Sequence, residues 1–107
     1  MNLLDINIEN PITISDIIYL KSRLISVEKH DFLIINIEDG NFNSEDALKN
    51  YTYHITDIEP CFMKFKKVAF IHPYKLHGMN FSIGNIKFFL SKEEALHWFI
   101  NGKLNKR

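Results

Sequence analysis

The sequence predicts an α/β fold, in which a mostly parallel sheet of about four strands is covered by helices. Three short apolar runs without alternation, at residues 32–37, 68–72 and 86–90, are typical of strands that are buried on both faces. Between and after these runs, apolar residues recur at helical spacing behind capping residues. Strands that alternate with helices favour right-handed crossovers, and such crossovers make neighbouring strands parallel.

The chain opens with a strand and a helix. Residues 4–9 alternate apolar and polar side chains, as a strand with one wet face does, and their terminal position predicts an edge strand. A helix over residues 13–29 follows, capped by Thr13 with Asp16 in its first turn, or alternatively by Ser15. Its predicted buried stripe, with Ile18 and Ile25 beside it, consists of Ile17, Leu20, Leu24 and Val27.

A strand over residues 31–38 leads to a second helix. Turn-forming residues 39–41 stop the strand. Asn43 or Ser44 then caps the helix, whose first turn carries acidic side chains that suit the helix dipole, and Pro60 bounds it. The predicted buried stripe is Ala47 or Leu48, Tyr51, Ile55 and Ile58.

Two further strands follow. Residues 61–67 alternate phenylalanine and lysine over part of their length, so we expect them to be an exposed approach to a strand over residues 68–72. Pro73 ends the pairing of that strand. Residues 74–84 are predicted to be a loop or a broken short helix, and residues 86–90 the fourth strand.

A third helix closes the predicted fold. Ser91 and Glu94 have the spacing of a capping box, in which each side chain bonds to the other residue's backbone. His97 is expected to be exposed, and Trp98 to pack across the sheet edge or in a subunit contact. The residues expected to pack on the sheet are Ala95, Leu96, Phe99 and Ile100.

Composition narrows the class of protein. The 107 residues match the size of one domain, so residues 1–107 are predicted to form a single domain with its own core. The thirteen basic residues balance thirteen acidic ones, which argues against nucleic-acid binding led by phosphates. Cys61 is the single cysteine, so we expect neither an intrachain disulfide nor a cysteine-rich zinc site.

Targeting signals and cofactor motifs are not evident in the sequence. The acidic start of the chain does not have the pattern of a signal peptide, and no run approaches the ~20 apolar residues that span a bilayer. We therefore expect a cytoplasmic protein without a transmembrane segment. No glycine-rich phosphate loop, nucleotide fingerprint or metal-binding motif occurs, so no cofactor and no metal are predicted.

Two loops are the predicted binding region, because ligands of open α/β sheets bind outside the carboxyl ends of the strands. Such loops can hold an anionic ligand or a metal, or supply a general base. The alternative is a polar loop in which the histidine at position 72 only caps a strand end. The candidates in these loops are Asp39, Asn41, His72, Tyr74, Lys75 and His77.

The start of the second helix is the other candidate region. Ser44, with Asn43 before it, can be a phosphorylated switch residue or simply a helix cap, and we favour the cap because serine is a common residue there. Cys61 can be a reactive thiol or a small packed side chain, and its bulky neighbours favour packing.

The end of the chain resembles a known family. Residues 67–71 (Lys-Val-Ala-Phe-Ile), 86–89 (Ile-Lys-Phe-Phe) and 93–99 (Glu-Glu-Ala-Leu-His-Trp-Phe) are similar to the end of small bacterial SpoIIAA-like domains. These domains are relatives of STAS domains, which have the anti-sigma-factor-antagonist fold, also likened to the CRAL-TRIO lipid-binding fold. The resemblance covers roughly the last third of the chain, and it implies a STAS-like fold and a regulatory role.

The chain departs from this family in two places. The family usually opens with a strand hairpin, whereas a single candidate strand precedes the first helix here. Phosphorylated STAS switches carry Asp-Ser-Ser-Gly at the start of a helix, where this chain has Asn43-Ser44-Glu45-Asp46. A phosphate on Ser44 would therefore meet local negative charge, which disfavours it.

The function we expect is a non-catalytic regulatory or interaction module that binds a protein partner or a small apolar or anionic ligand. We also expect self-association as a homodimer through an exposed sheet edge or the helix that carries Trp98. The alternatives are a small hydrolase or metal-dependent enzyme that uses Asp39, His72 and His77, and a serine-phosphorylation switch at Ser44.

Overall fold

A computed structural model describes residues 2–73, 76, 79 and 81–101. Strands and helices alternate along the chain as the sequence predicts, with one short 3₁₀ helix in addition. In chain order the elements are β1 (Leu3–Asn7), α1 (Ile14–Ser26), β2 (Phe32–Asn36), α2 (Glu45–Asp57), the 3₁₀ helix (Glu59–Lys64), β3 (Lys67–Ile71), β4 (Ile86–Phe89) and α3 (Lys92–Asn101). Within these described residues, no helix is both long and apolar enough to cross a membrane.

The four strands form one sheet in the order β1-β2-β3-β4, and every neighbouring pair is parallel. The predicted α/β class is therefore confirmed, as is the edge position of β1. Strand β2 lies inside the sheet, and its central residues Leu33, Ile34 and Ile35 are fully buried because helices cover both of its faces. The apolar run without alternation in this segment correctly predicted a strand that is buried on both faces.

Helix α1 begins at the predicted cap. The Asp16 carboxylate accepts the Thr13 backbone N–H at 2.9 Å, and the Thr13 hydroxyl accepts the Asp16 N–H at 3.2 Å, so the box satisfies two orphan donors. The helix ends at Ser26 rather than at the predicted residue 29. The Lys64 ammonium donates to carbonyls there, which satisfies them where the helix stops. These acceptors are Leu24, Ile25 and Val27, at 3.2, 2.9 and 2.9 Å.

Helix α2 has Ser44 as its cap, with the hydroxyl accepting the Ala47 N–H at 3.1 Å. The 3₁₀ helix that follows corrects one prediction. Residues 61–67 were expected to be an exposed approach to a strand, yet Phe62 and Phe65 are buried. The turn of the 3₁₀ helix directs these two rings into the core while the lysines stay outside, an arrangement that strand alternation does not describe.

Two apolar layers cover the sheet. The larger layer contains α1, α2 and the 3₁₀ helix. Of the elements that the structure describes, α3 is the one that packs on the other face, against β2, β3 and β4. On α3, Trp98 is buried with Ala95 and Phe99, whereas Ile100 is 72% exposed, so the prediction that Ile100 packs on the sheet is wrong. The Trp98 ring contacts Phe89, and the Lys67 ammonium lies over the Trp98 ring.

The start of α3 has half of the predicted capping box. The Ser91 hydroxyl accepts the Glu94 N–H at 3.3 Å. The Glu94 carboxylate accepts the N–H of Leu90 rather than that of Ser91.

Candidate functional site

The predicted candidates between β2 and α2 are on the surface. Asp39, Asn41, Asn43 and Ser44 are all exposed. Asn41 and Ser44 line a shallow cavity of about 360 Å³ together with Phe42. The Ser44 hydroxyl serves as the helix cap described above, which agrees with the interpretation that the sequence favoured.

His72, the candidate at the end of β3, points into the core instead. It is 1% exposed, and its Nε2 lies 2.5 Å from the hydroxyl of Tyr51, which is fully buried in α2. The rings of Phe70 and Phe88 pack around the imidazole, with centroids at 4.9 and 5.6 Å. Burial raises the pKa of Tyr51 well above its usual value, so the hydroxyl stays protonated within hydrogen-bond distance of the imidazole Nε2.

The two predicted loops do meet, but through other residues. Gly40 has a φ of +67° and approaches Pro73 so closely that a Cβ on it would lie 2.7 Å from the proline Cγ. The turn after β2 therefore packs on the chain that leaves β3, while His72 faces away from that contact. The remaining candidates, Tyr74, Lys75 and His77, lie outside the described residues.

A larger cleft opens at the carboxyl end of β1, where no candidate residue was predicted. Its volume is about 480 Å³. One wall is the flank of α1 that carries Asp16, Tyr19 and Arg23, and the floor and opposite wall are the chain after the middle of β1. The cleft is lined by Ile6, Asn7, Ile8, Glu9, Asn10, Pro11, Asp16, Tyr19 and Arg23.

Asparagine side chains fix the rim of this cleft. The Asn10 amide donates to the Ile37 carbonyl and the Glu38 carboxylate, and its oxygen accepts the Asn41 N–H at 2.7 Å. Glu38 has a φ of +54°, and the Asn36 oxygen accepts its N–H at 2.9 Å, as in an Asx turn. These amides hold the loop after β1 against the loop after β2, so the rim is fixed before any ligand arrives.

A second unexpected surface is the outer face of α1. Eight of its residues are exposed, and seven of them carry no charge: Ile14, Ser15, Ile18, Tyr19, Ser22, Ile25 and Ser26. A solvated helix face normally carries charged side chains. The sequence placed Ile18 and Ile25 beside the buried stripe, but the stripe is narrower than that, and they are 54% and 52% exposed.

The remaining candidates are a metal site and a reactive thiol. Within the described part of the chain, no three histidine, cysteine, aspartate or glutamate side chains are grouped so that they could hold a metal ion. Cys61 is a half-buried free thiol in the 3₁₀ helix that packs on the larger core.

The fold and these surfaces define an α/β domain with a four-stranded parallel sheet. Comparison of the chain with protein-family models, with curated proteins and with solved structures finds no match.

Proposed function

We propose that this chain is a non-catalytic interaction module that assembles with a second copy of itself through the exposed face of α1. The observation that carries the proposal is the uncharged character of that face. Ile14, Ile18 and Ile25 are 38%, 54% and 52% exposed, and clustered exposed apolar side chains mark protein contacts.

The spacing of these isoleucines suits a two-fold contact. Steps of four and seven residues place Ile14, Ile18 and Ile25 on one stripe of the helix. When two α1 helices pack antiparallel, Ile14 of one copy faces Ile25 of the other, and the two Ile18 side chains meet near the middle. The small serines between them let the helices approach closely.

Charge does not oppose this contact. Lys21, which lies beside the stripe, is held by α2, where its Nζ is 3.6 Å from the Asp57 carboxylate and 3.2 Å from the His54 ring. Arg23, the one charged residue among the eight exposed ones, is five residues from Ile18 and two from Ile25, which places it on the opposite flank of α1 from the isoleucine stripe. The stripe itself therefore brings no free charge into the contact. A second copy is the partner whose matching surface is known to have this character.

The resemblance to SpoIIAA-like, STAS-related domains supports a regulatory role for such a module. The enzyme alternative gains no support from the described candidates, since His72 is buried against Tyr51 while Asp39 is exposed. The switch alternative would place a phosphate beside the exposed acids Glu45 and Asp46 and would remove the cap of α2.

The test is the mass of the protein in solution. One helix face is a small interface, so we expect a weak dimer whose light-scattering mass rises with concentration from about 10 µM to about 1 mM. Ile18→Glu should give a monomer mass throughout, because it places two carboxylates at the two-fold axis. Ile100→Glu changes an isoleucine on α3 that is even more exposed, at 72% against 54% for Ile18, and should leave the dimer intact.

Two results would contradict the proposal. One is a monomer mass that does not change with concentration in the unmodified protein. The other is equal behaviour of the Ile18→Glu and Ile100→Glu variants, since a contact through α1 requires them to differ.

A further inference from the structure

In the part of the chain that the structure describes, no backbone group pairs with the outer edge of β1. The Phe32 N–H donates to the Asn2 carbonyl, and the Ile8 N–H donates to the Asn36 carbonyl. The even-numbered residues along β1 therefore direct their backbone N–H and C=O groups toward β2. Because backbone groups alternate sides along a strand, Leu3, Asp5 and Asn7 direct theirs away from the sheet. Strand β1 is the last in the sheet order, so these groups form a free edge that another strand can pair with.

The cleft lies beside the carboxyl end of this same edge. Lys21 marks the flank of α1 that faces α2. Asp16, Tyr19 and Arg23 line the cleft from the opposite flank, which overlooks the end of β1. A strand added to the edge would therefore pass along a wall of side chains.

Three side chains of the cleft remain available to an occupant. Asp16 is engaged in the cap of α1, and Asn10 holds the rim. Glu9, Tyr19 and Arg23 are exposed. Among the described residues, their side chains make no hydrogen bond or ion pair with one another or with the rest of the chain.

The cleft has an acidic end and a basic end. Glu9 and Asp16 lie at the carboxyl end of β1, and α1 runs back from there toward its amino end. Arg23 is seven residues further along α1 than Asp16, which is about 10 Å at 1.5 Å per residue. An extended chain covers that distance in about three residues, and a spacing of two or four keeps both side chains on one face.

From this we infer that the free edge of β1 and the cleft together bind an extended peptide segment of a protein partner. The segment carries a basic side chain that meets Glu9 and an acidic side chain, two or four residues away, that meets Arg23. Its backbone pairs with Leu3, Asp5 and Asn7, and the Tyr19 ring packs between the two charges. The occupant is a protein, so the inference rests on the proposed role as an interaction module, although it uses a different surface.

The edge of β1 has features that oppose non-specific pairing with other strands, as a selective binding site requires. Asp5 places a charge in the middle of the strand, held by Lys92 of α3 at 2.5 Å. Edge strands that are short and charged resist aggregation. A bound segment therefore needs the side-chain matches in the cleft as well as backbone pairing.

The experiment uses fluorescent synthetic peptides of ten residues, read by anisotropy and by backbone amide NMR of the full chain. One set has lysine before glutamate and the other has glutamate before lysine, at spacings of two and four, because the added strand can run in either direction. We expect one order to bind and to shift the amides of β1. A matching peptide with N-methylated backbone on the pairing side should lose at least tenfold in affinity, because it cannot form the ladder.

Charge-reversal variants of the chain test which charged side chains contact the peptide. Arg23→Glu should weaken the binding peptide at least tenfold, and replacing the peptide glutamate with lysine should restore affinity to that variant. Lys49→Glu is the control, since it makes the same charge reversal at an exposed site on α2. Glu9→Lys provides the reciprocal test with the peptide lysine replaced by glutamate.

Several outcomes would overturn the inference. They are failure of every peptide to bind at about 1 mM, binding that leaves the β1 amides unshifted, and equal effects of Arg23→Glu and Lys49→Glu. Each is distinguishable from failure of the proposed dimer, which is read from the mass of the protein and from Ile18→Glu without any peptide.

Discussion

The buried contact between Tyr51 and His72 gives a prediction of measurable size. Tyr51 is 0% and His72 1% exposed, and the hydroxyl lies 2.5 Å from the imidazole Nε2. Tyr51→Phe keeps the ring and deletes only that hydroxyl. Nε2 then loses this hydrogen bond inside an aromatic cluster where water does not replace it, and such a loss costs about 1–3 kcal/mol.

The assay is urea and thermal unfolding followed by circular dichroism. For a domain of this size, a loss of about 1 kcal/mol lowers the midpoint temperature by about 4–8 °C. Tyr53→Phe is the matched control, because Tyr53 lies on the same helix and is 64% exposed. It should change the free energy of unfolding by no more than about 0.5 kcal/mol.

The pH dependence adds an independent check. Burial raises the pKa of Tyr51 in the folded state, so the folded protein holds the phenol proton more tightly than the unfolded chain does. That contribution to stability is complete below the usual tyrosine pKa and is lost as pH rises above it. The Tyr51→Phe variant has no phenol to titrate, so the difference in unfolding free energy between the two proteins should narrow as pH rises above the usual tyrosine pKa.

A double mutant separates the pair from its surroundings. The double mutant Tyr51→Phe with His72→Leu removes both partners of this hydrogen bond, so neither the phenol oxygen nor Nε2 loses it alone. The combined cost should therefore be smaller than the sum of the two single costs. The reasoning fails if Tyr51→Phe and Tyr53→Phe have the same effect, or if the two single costs simply add.

Two further predictions concern loops that support the sheet. The Glu59 carboxylate accepts hydrogen bonds from Ile83 and Ser82, which lower its pKa; its contribution to stability should be present at neutral pH and lost as pH falls through that lowered pKa. Urea titrations from neutral to acidic pH should therefore show Glu59→Gln approaching the unmodified protein in acid, and a constant difference would contradict this. Gly40→Ala forces a Cβ to within 2.7 Å of Pro73 at a φ of +67° and should destabilise by about 1–3 kcal/mol in the same titrations. Gly84→Ala, where a Cβ meets nothing within 4 Å, is its control and should be neutral or slightly stabilising.

The elements of the fold could be predicted from the sequence because each has a local cause. Thr13 and Asp16 satisfy each other's backbone donors, and that reciprocity depends only on residues three apart. The central residues of β2 are apolar without alternation because helices cover both faces of the strand. This pattern can be read from the segment alone, without knowing the rest of the fold. The parallel pairing of the strands followed from these elements and the handedness of crossovers.

The burial of particular side chains could not be predicted in the same way. Phe62 lies in a short 3₁₀ helix and Phe65 directly follows it. The periodicity of that helix matches neither a strand nor an α-helix, so the direction of the two rings depends on the core that they complete. Ile18 and Ile100 are as apolar as any core residue, and only the position of neighbouring elements leaves them exposed. Periodicity identifies the apolar face of a helix, but it does not tell how much of that face the neighbouring elements cover.

The sequence placed its candidates in loops at the carboxyl end of the sheet, and the cleft that we infer as a binding site lies at the same end but beside β1. General rules for open sheets pointed to the loops after β2 and β3, where the structure places a capped helix start, a buried imidazole and a close contact of Gly40 with Pro73. The cleft beside β1 needs Glu9 and Arg23, which lie on two different elements, and no spacing in the sequence connects them. Only the packing of α1 along the sheet brings those residues to one place.

The position of α3 has a consequence for how the protein is made. Among the described elements, α3 alone covers the face of the sheet that carries Ile34, Ala69 and Phe89, and it follows all four strands in the chain. A ribosome releases the strands first, so the sheet can form on the α1 and α2 side while its other face is still bare. During that interval the newly made chain exposes this apolar surface to solvent or to a chaperone, and a ribosome stalled before residue 92 holds the chain in that aggregation-prone state.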